Sequence, residues 1–458
     1  MIEKITELLE KKKYGELRTV LEETNPMDLA AVFEELETEW EIIVFRLLPK
    51  ELAAETFVEL DAEMQENLIK NFSDKELKAV IDELFLDDAV DIIEEMPANV
   101  VKRILKQSDK ETRLAINELL NYPKDSAGSI MTPEFVNLKK HMTVAEAFDY
   151  IRKTGLDKKT VYTCYVIDRN RKLEGIVTVK NLLLADSGEI IENIMETNVI
   201  CATTLDDKED VARLFNKYDF YVIPVVDKES RLVGIVTVDD AMDVIEEENT
   251  EDIEKMAAII SADKPYLKLG IFETVKNRIP WLLILMLSAT VTGAIISSFE
   301  SKLKAVVILT AFIPMLMGTG GNSGSQSSVT IIRGLSLGEI TLKDIFEVIW
   351  KELRVGVICG VILGAVNFIK MILVDNYLLG SFAGYGFHEM VLISAVVCLT
   401  LAATVVLAKL VGCVLPIIAE ALKLDPAVMA SPFITTIVDA LSLVIYFILT
   451  NIILTSML

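Results

Sequence analysis

The chain has 458 residues, of which 25% are charged, with a formal net charge of −24 and a mean hydropathy of +0.41. A chain this charged and this apolar is not one homogeneous globule, because its parts need different solvents. The acidity argues against a nucleic-acid-binding protein, and two histidines and five cysteines without a CxxC pair argue against a zinc or disulfide framework.

Charged and apolar residues are separated along the chain. Residues 1–270 hold 58 acidic and 34 basic residues, whereas residues 271–458 hold 11 of each. Apolar runs of about 20 residues, enough to cross a bilayer, occur only in the second part. The N-terminus lacks the continuous apolar core of a secretory signal. We therefore expect a cytoplasmic part followed by a multi-pass membrane domain over 271–458.

Residues 1–125 are predicted to form an acidic helical-repeat domain. Similar tetrapeptides begin successive amphipathic units, namely DLAA at Asp28, ELAA at Glu51 and ELKA at Glu76. Prolines such as Pro26 stand where helices should start or stop.

Residues 126–244 contain a tandem duplication with α/β character. IMTP at Ile130 recurs as IMET at Ile194, and LEGIVTV at Leu173 recurs as LVGIVTV at Leu232. A helix and an apolar strand are expected between the markers of each copy. The duplication resembles a pair of CBS domains. That resemblance implies a dimeric regulatory module whose clefts often bind adenine nucleotides, so ATP is a candidate ligand.

Residues 245–270 are predicted to form an acidic helix that connects this regulator to the membrane. Its start carries acidic residues at helical spacing: Glu247, Glu248, Glu251, Asp252 and Glu254. Like charges three or four residues apart destabilise a helix unless a cation neutralises them. The segment is either a solvated linker or a cation-binding coupling element, and its residues leave both open.

Five segments are long and apolar enough to be predicted membrane spans, approximately 281–299, 305–332, 353–374, 388–418 and 432–456. An odd number of spans puts the two chain ends on opposite sides. Basic residues are more frequent at the expected cytoplasmic ends than outside, in agreement with the positive-inside rule.

The second span contains the run PMLMGTGGNSGSQ, which begins at Pro314. We expect it to interrupt the helix at membrane depth, because proline removes a backbone donor and glycine removes side chains. Asn322, Ser323 and Gln326 would then offer neutral oxygens to a pore. The alternative is helix packing through small residues, which is common in membranes.

Asp439 is the charged residue of the last span. A carboxylate within a membrane is costly and functional by default, so we expect it to line the pore. Thr435 lies one turn earlier on the same helical face. Asp425, just before Pro426, is either part of the pore mouth or an ordinary helix cap. Oxygen ligands of low charge suit hydrated Mg²⁺, although the same ligands could also bind Mn²⁺, Co²⁺ or Ca²⁺.

Together with PMLMGTGGNSGSQ, the motif LDPAVMASPFITTIVD at Leu424 resembles the MgtE family of Mg²⁺ channels, and the resemblance covers essentially the whole chain. It implies a homodimer in the plasma membrane, with paired Asp439 residues and the Asn322 region selecting Mg²⁺. It also implies that cytoplasmic Mg²⁺ closes the pore by binding acidic residues, which match here Asp87, Asp91, Asp219, Asp240, Asp243, Glu248, Glu251 and Asp252. The pairing of these carboxylates is not readable from the sequence.

Three other functions fit the sequence less well. An enzyme is disfavoured because the glycine-rich run fits neither GxGxxG nor GxSxG, and no nucleophile has a plausible histidine partner. A CBS-regulated anion channel is disfavoured because its pore would need basic residues rather than Asp439. A nucleotide sensor that transports nothing leaves Asp439 unexplained. Without a sign of ion coupling, passive gated flux of Mg²⁺ is expected.

Overall fold

The computed structural model describes residues 1–262, 266–429 and 431–454, and the chain divides into two compact units, Met1–Ile245 and Glu246–Leu458. Residues 263–265 of the predicted connecting helix, and residues 430 and 455–458 of the predicted membrane domain, lie outside the described residues.

The first unit begins with ten short helices, as the repeats predict. They are α1 (Ile2–Glu10), α2 (Tyr14–Glu22), α3 (Pro26–Glu35), α4 (Thr38–Leu47), α5 (Lys50–Val58), α6 (Ala62–Asn71), α7 (Asp74–Ile81), α8 (Leu86–Glu95), α9 (Ala98–Gln107) and α10 (Lys110–Leu119). Helices this short are marginal alone, so they depend on a shared core. Phe33, Phe45, Phe57 and Phe72 form its centre, with ring centroids 5.1–6.3 Å apart.

Local signals place the helix starts. Asn25 accepts a hydrogen bond from the Met27 backbone N–H and Pro26 opens α3, while Ser73 and Glu76 form a capping box on α7. These side chains satisfy backbone donors that a helix leaves free at its N-terminus.

Two α/β halves follow, and each contains a three-stranded sheet. The first half contains β1 (Phe135–Leu138), α11 (Val144–Thr154), β2 (Thr160–Ile167), β3 (Leu173–Thr178) and α12 (Val179–Leu184). The second contains α13 (Ile191–Ile194), β4 (Ala202–Thr203), α14 (Lys208–Tyr218), β5 (Val222–Val226) and β6 (Leu232–Thr237), and leads into α15 (Val238–Met256). In both sheets the first pairing is parallel and the second antiparallel, which confirms the duplication.

Each copy of the repeat supplies an edge to the other copy's sheet. Thr132 exchanges two backbone hydrogen bonds of 2.8 Å with Ile235, and Glu196 exchanges two of 2.9 Å with Ile176. This approach leaves no room for a side chain at Gly175, where a Cβ atom would lie 2.7 Å from the Glu196 carbonyl oxygen. The glycine in each GIVTV repeat is therefore required by packing between the two halves.

The acidic helix is shorter than its prediction. α15 begins within the second half and ends at Met256, not near residue 270. Ala258 has a left-handed φ of 56°, and the Ile259 N–H donates to the Glu254 carbonyl, so the backbone turns out of the helix there.

The second unit is a helical bundle. It contains α16 (Ile271–Ser298), α17 (Glu300–Ala305), α18 (Ile313–Ser336), α19 (Ile345–Lys370) with a π-helical extension (Met371–Leu378), α20 (Phe387–Ala421) and α21 (Ser431–Ile453). Among the described residues, four helical stretches are long and apolar enough to cross a membrane: Ile271–Ser298, Leu342–Leu378, Phe387–Ala421 and Pro426–Ile453. The predicted second span, which includes α18, is not among them.

The predicted interruption within the glycine-rich run is wrong. α18 runs as a continuous α-helix through that whole run. Pro314 stands in its first turn, where the missing N–H is not needed for the helix, and a 3₁₀ turn at Val307–Phe312 precedes it.

We expect Gly175→Ala to destabilise the first unit by about 1–3 kcal/mol, because backbone of the opposite half must move to admit the methyl group. Thermal unfolding of the detergent-solubilised full chain would measure it as a lower midpoint. Gly188→Ala is the matched control, since a Cβ there meets nothing within 4 Å. Equal midpoints for the two variants would contradict the packing argument.

Candidate cation pathway and acidic control cluster

An acidic cluster forms between α8 and the first turn of α15. Asp87 and Asp91 lie one turn apart on α8, so they share a face of the helix. Asp87 is only 4% exposed, although it is a carboxylate. Its charge acts on both Asp91 and Asp240, and Asp240 lies in the first turn of α15. The structure thus brings together three residues of the predicted regulatory set.

Burial and mutual repulsion raise the pKa of several of these carboxyls. Burial is the largest cause and the charge of Asp87 is the second, and together they raise the pKa of Asp91 and the pKa of Asp240 to about 7. The same two causes raise the pKa of Asp88 to about 6. Asp91 keeps an open side to solvent. A carboxyl with a pKa near 7 is partly protonated at neutral pH, so a cation that binds there displaces protons.

Lys159, just before β2, places a positive charge in this cluster. Its Nζ lies 2.9 Å from Asp87 Oδ2 and 3.4 Å from Asp88 Oδ1, and its side chain is 13% exposed. Burial lowers the pKa of Lys159, but Asp87, Asp88 and Asp240 raise it by more, so the net pKa lies above the ordinary value. The sequence does not single out Lys159, because this lysine lies in a different domain from Asp87 and belongs to no recognisable motif.

The cluster is not a preformed metal cage. Across residues 1–262, 266–429 and 431–454, no group of three His, Cys, Asp or Glu side chains is arranged to hold a metal ion. Asp87 and Asp88 instead pair with Lys159, and the Oδ1 atom of Asp87 is buried without a hydrogen bond from the described residues.

A second acidic pair lies between the helical domain and α15. The pKa of Glu59 is raised, mainly by burial and to a smaller extent by the charge of Asp243. Sequence analysis did not name Glu59, because only tertiary packing brings it to Asp243. Asp219 is exposed at the end of α14 with a left-handed φ of 54°, and it makes no hydrogen bond or ion pair with the described residues. Glu248 is half-buried on α15.

The last turns of α15 contact the membrane helices within the second unit. Lys255 Nζ lies 2.8 Å from Glu251 and 2.6 Å from Asp425. Asp252 accepts a hydrogen bond of 3.3 Å from the Ser336 hydroxyl. Burial and the charge of Asp425 raise the pKa of Asp252.

Asp425 has two partners at the start of the last membrane helix. Its carboxylate accepts a 2.7 Å hydrogen bond from the Ala427 N–H, as a helix cap does, and also pairs with Lys255. Next to it, Met256 packs against Ile332 and Ala427. The end of α15 is therefore fixed to the segment that leads into α21.

Asp439 lies in the middle of α21 and is half-buried. Its Oδ1 atom is buried and has no hydrogen-bond partner among the described residues. One turn earlier, Thr435 packs against Gly321 of α18. An unsatisfied carboxylate oxygen inside an apolar helix bundle needs a partner, such as a cation, a proton or water.

The glycine-rich run serves packing as well as polarity. A Cβ at Gly320 would lie 2.7 Å from Thr404 of α20, and one at Gly324 would lie 2.6 Å from Ile434 of α21. Of the predicted pore residues, Ser323 is buried in this contact, whereas Asn322 and Gln326 are exposed. Helix packing through small residues thus describes the glycines and Ser323, whereas Asn322 and Gln326 remain available to line a pore.

Sequence analysis missed an ion pair inside the bundle. Lys409 of α20 is buried, its Nζ lies 3.9 Å from the carboxylate of Glu352 on α19, and Ser327 of α18 donates a hydrogen bond to Glu352. The pair joins three helices. The sequence does contain a sign of this ion pair: Lys409 is a lone lysine within the predicted span 388–418, and such a residue needs a partner.

Comparison with protein families gives three matches along the chain. Residues 24–125 match the MgtE intracellular N domain, residues 127–188 and 191–247 match CBS domains, and residues 313–449 match the MgtE family of divalent cation transporters.

Curated relatives span the chain. It is 38% identical over 446 residues to a magnesium transporter MgtE of Thermus thermophilus, with 96% of each chain covered. It is 34% identical over 451 residues to a magnesium transporter MgtE of Bacillus subtilis, covering 98% of this chain and 96% of that protein.

Solved structures of two soluble proteins or domains match about half of the chain. The cytosolic domain of the Mg²⁺ channel MgtE in complex with ATP is 39% identical, with a TM-score of 0.51, and the match covers 53% of this chain and 100% of that one. The soluble part of a magnesium transporter is 28% identical, with a TM-score of 0.51, over 54% of this chain and 97% of that one.

We expect Lys409→Met and Glu352→Gln each to destabilise the bundle by about 3 kcal/mol or more, because each leaves a buried charge without its partner. The double variant should recover most of the loss. Thermal unfolding of the solubilised full chain measures both effects. Glu420→Gln, at an exposed position of the same helix α20, is the control. A double variant no more stable than the single ones would contradict this pairing.

Proposed function

This chain belongs to the MgtE family of magnesium transporters, and from that premise we propose that it is a homodimeric, Mg²⁺-selective channel of the plasma membrane. Mg²⁺ flows through it passively into the cell, and cytoplasmic Mg²⁺ closes it by binding to the acidic faces of its first unit and of α15.

The unsatisfied oxygen of Asp439 is the observation that carries the pore proposal. A buried carboxylate is stable in a membrane only if something compensates its charge. Two copies of Asp439 at a two-fold axis would repel each other unless a cation lay between them. Hydrated Mg²⁺ suits such a site, because it keeps most of its water and needs only one or two carboxylates.

The polar side of α18 supports a fifth span at the pore. Its 24 residues extend about 36 Å, enough to cross the hydrocarbon core. Contacts with α20 and α21 shield one side of the helix from lipid, so that side needs no long apolar residues. Asn322 and Gln326 on the exposed side require water or polar partners, which a pore between two protomers provides.

The control proposal rests on the excess negative charge of the cluster. Asp87, Asp88 and Asp240 lie near one lysine, and Asp91 adds a fourth carboxyl beside Asp87. The docking of α8 against α15 is therefore strained by repulsion until divalent cations bind. The same helix α15 ends on Asp425 and Ser336. Mg²⁺ bound along α15 would thus hold the segment before α21 in its closed position.

ATP is proposed as a ligand of the CBS pair. The support is the similarity of the first unit to a cytosolic domain that was crystallised with ATP. We expect isothermal titration of the full chain with ATP to show saturable binding, and a titration without heat would remove the proposal.

Asp439→Ala should lower Mg²⁺ flux into proteoliposomes at least about tenfold, because the pore loses its compensating carboxylate. Glu420→Gln, which removes an exposed charge from α20, should conduct as the wild type does. Normal flux through Asp439→Ala would make this carboxylate structural. Absence of divalent flux through the wild type would favour the nucleotide sensor instead.

A chain without residues 1–120 should stay open at cytoplasmic Mg²⁺ concentrations that close the wild type, because it lacks the α8 carboxylates. Single-channel recording or flux at increasing internal Mg²⁺ measures the closing concentration. Closure of both chains at the same concentration would mean that the helical domain does not take part in the gate.

A further inference from the structure

The backbone of Lys159 is fixed beside the acidic cluster, and its ammonium group lies among the carboxylates. Its backbone N–H donates to the Glu134 carbonyl at 3.0 Å, and its ammonium group lies 5.2 Å from the centre of the Phe85 ring. The ammonium is the cation that the cluster holds in this structure, 2.9 Å from Asp87 and 3.4 Å from Asp88.

One ammonium group does not satisfy this cluster. Asp87 is 4% exposed, and its Oδ1 atom is buried without a hydrogen bond from the described residues. Asp91 and Asp240, each partly ionised at neutral pH, add further negative charge, and the charge of Asp87 acts on both. A buried carboxylate oxygen left without a partner, within a net negative group, marks a place that takes a second positive charge.

We propose that Lys159 is a built-in competitor for the divalent cation: it occupies the cluster when no ion is bound, and its ammonium leaves when Mg²⁺ binds Asp87, Asp91 and Asp240. Lys159 thereby sets the Mg²⁺ concentration at which the site fills. This inference rests on the proposed control by Mg²⁺ and adds the residue that tunes it.

The chemistry of lysine suits this role. Its charge sits at the end of a flexible four-carbon stem, so the ammonium can move to solvent while the backbone stays in place. A tethered cation also has a high effective concentration at the cluster. Monovalent ions bring no more charge than the ammonium they would have to displace, whereas Mg²⁺ brings twice as much. Competition with Lys159 thus favours divalent over monovalent ions.

The contrasting role is a permanent bridge between α8 and the first CBS half. A bridge would work together with Mg²⁺ rather than against it, so the loss of Lys159 would raise the Mg²⁺ requirement. The two roles therefore predict shifts of opposite sign.

The test uses the full chain in lipid nanodiscs and follows the Mg²⁺ concentration that gives half-maximal protection from limited proteolysis. Lys159→Met removes the charge and keeps most of the stem. We expect its midpoint to fall by roughly threefold or more, since Mg²⁺ meets no competitor. In chelator without Mg²⁺ it should be cleaved faster than the wild type, because the repulsion is then uncompensated.

Two further variants make the result decisive. Lys159→Arg keeps the charge and can pair with a carboxylate through two hydrogen bonds, so its midpoint should rise; this variant also serves if Lys159→Met fails to fold. Lys153→Met is the control, because Lys153 is exposed on α11 and has no partner among the described residues. Its midpoint should match the wild type.

The outcomes separate this inference from the function on which it rests. A wild-type chain without any Mg²⁺-dependent protection would overturn the proposed control itself. A wild type that responds, with an unchanged or raised midpoint in Lys159→Met or a lowered one in Lys159→Arg, would overturn the competition alone.

Discussion

Packing holds several carboxylates of the first unit close together, and Lys159 supplies the positive charge that pairs with two of them. Two unit charges about 5 Å apart repel each other by about 3 kcal/mol at the effective dielectric constant of a protein. The Asp87 side chain is buried despite this repulsion, and Lys159 compensates only part of the negative charge around it. The packing of α8 against α15 therefore carries an electrostatic cost.

Helix α15 has polar contacts near both of its ends. Its first turn belongs to the acidic cluster through Asp240, and its last turns pair with Asp425 and Ser336. The α15 helix has 19 residues and extends about 28 Å.

Small residues give the membrane unit its arrangement. Gly320 and Gly324 let α18 approach α20 and α21 closely, and the same approach places Thr435 beside Gly321. A helix with so few large side chains has little apolar surface of its own. Its stability comes from neighbours, including the Ser327, Glu352 and Lys409 contact across three helices.

The sequence by itself determined the classes of structure: a domain of short repeated helices, a duplicated α/β pair and apolar spans, because periodicity and repeats are local properties of the chain. It also marked Asp439, since a charge within an apolar run is visible without a fold. It misjudged the glycine-rich run, because one proline can begin a helix as well as break it. Only the tertiary structure decided that Glu59 meets Asp243, and that Lys159 lies among the α8 carboxylates. Those partners are distant in the chain, and burial and repulsion arise only when packing brings them together.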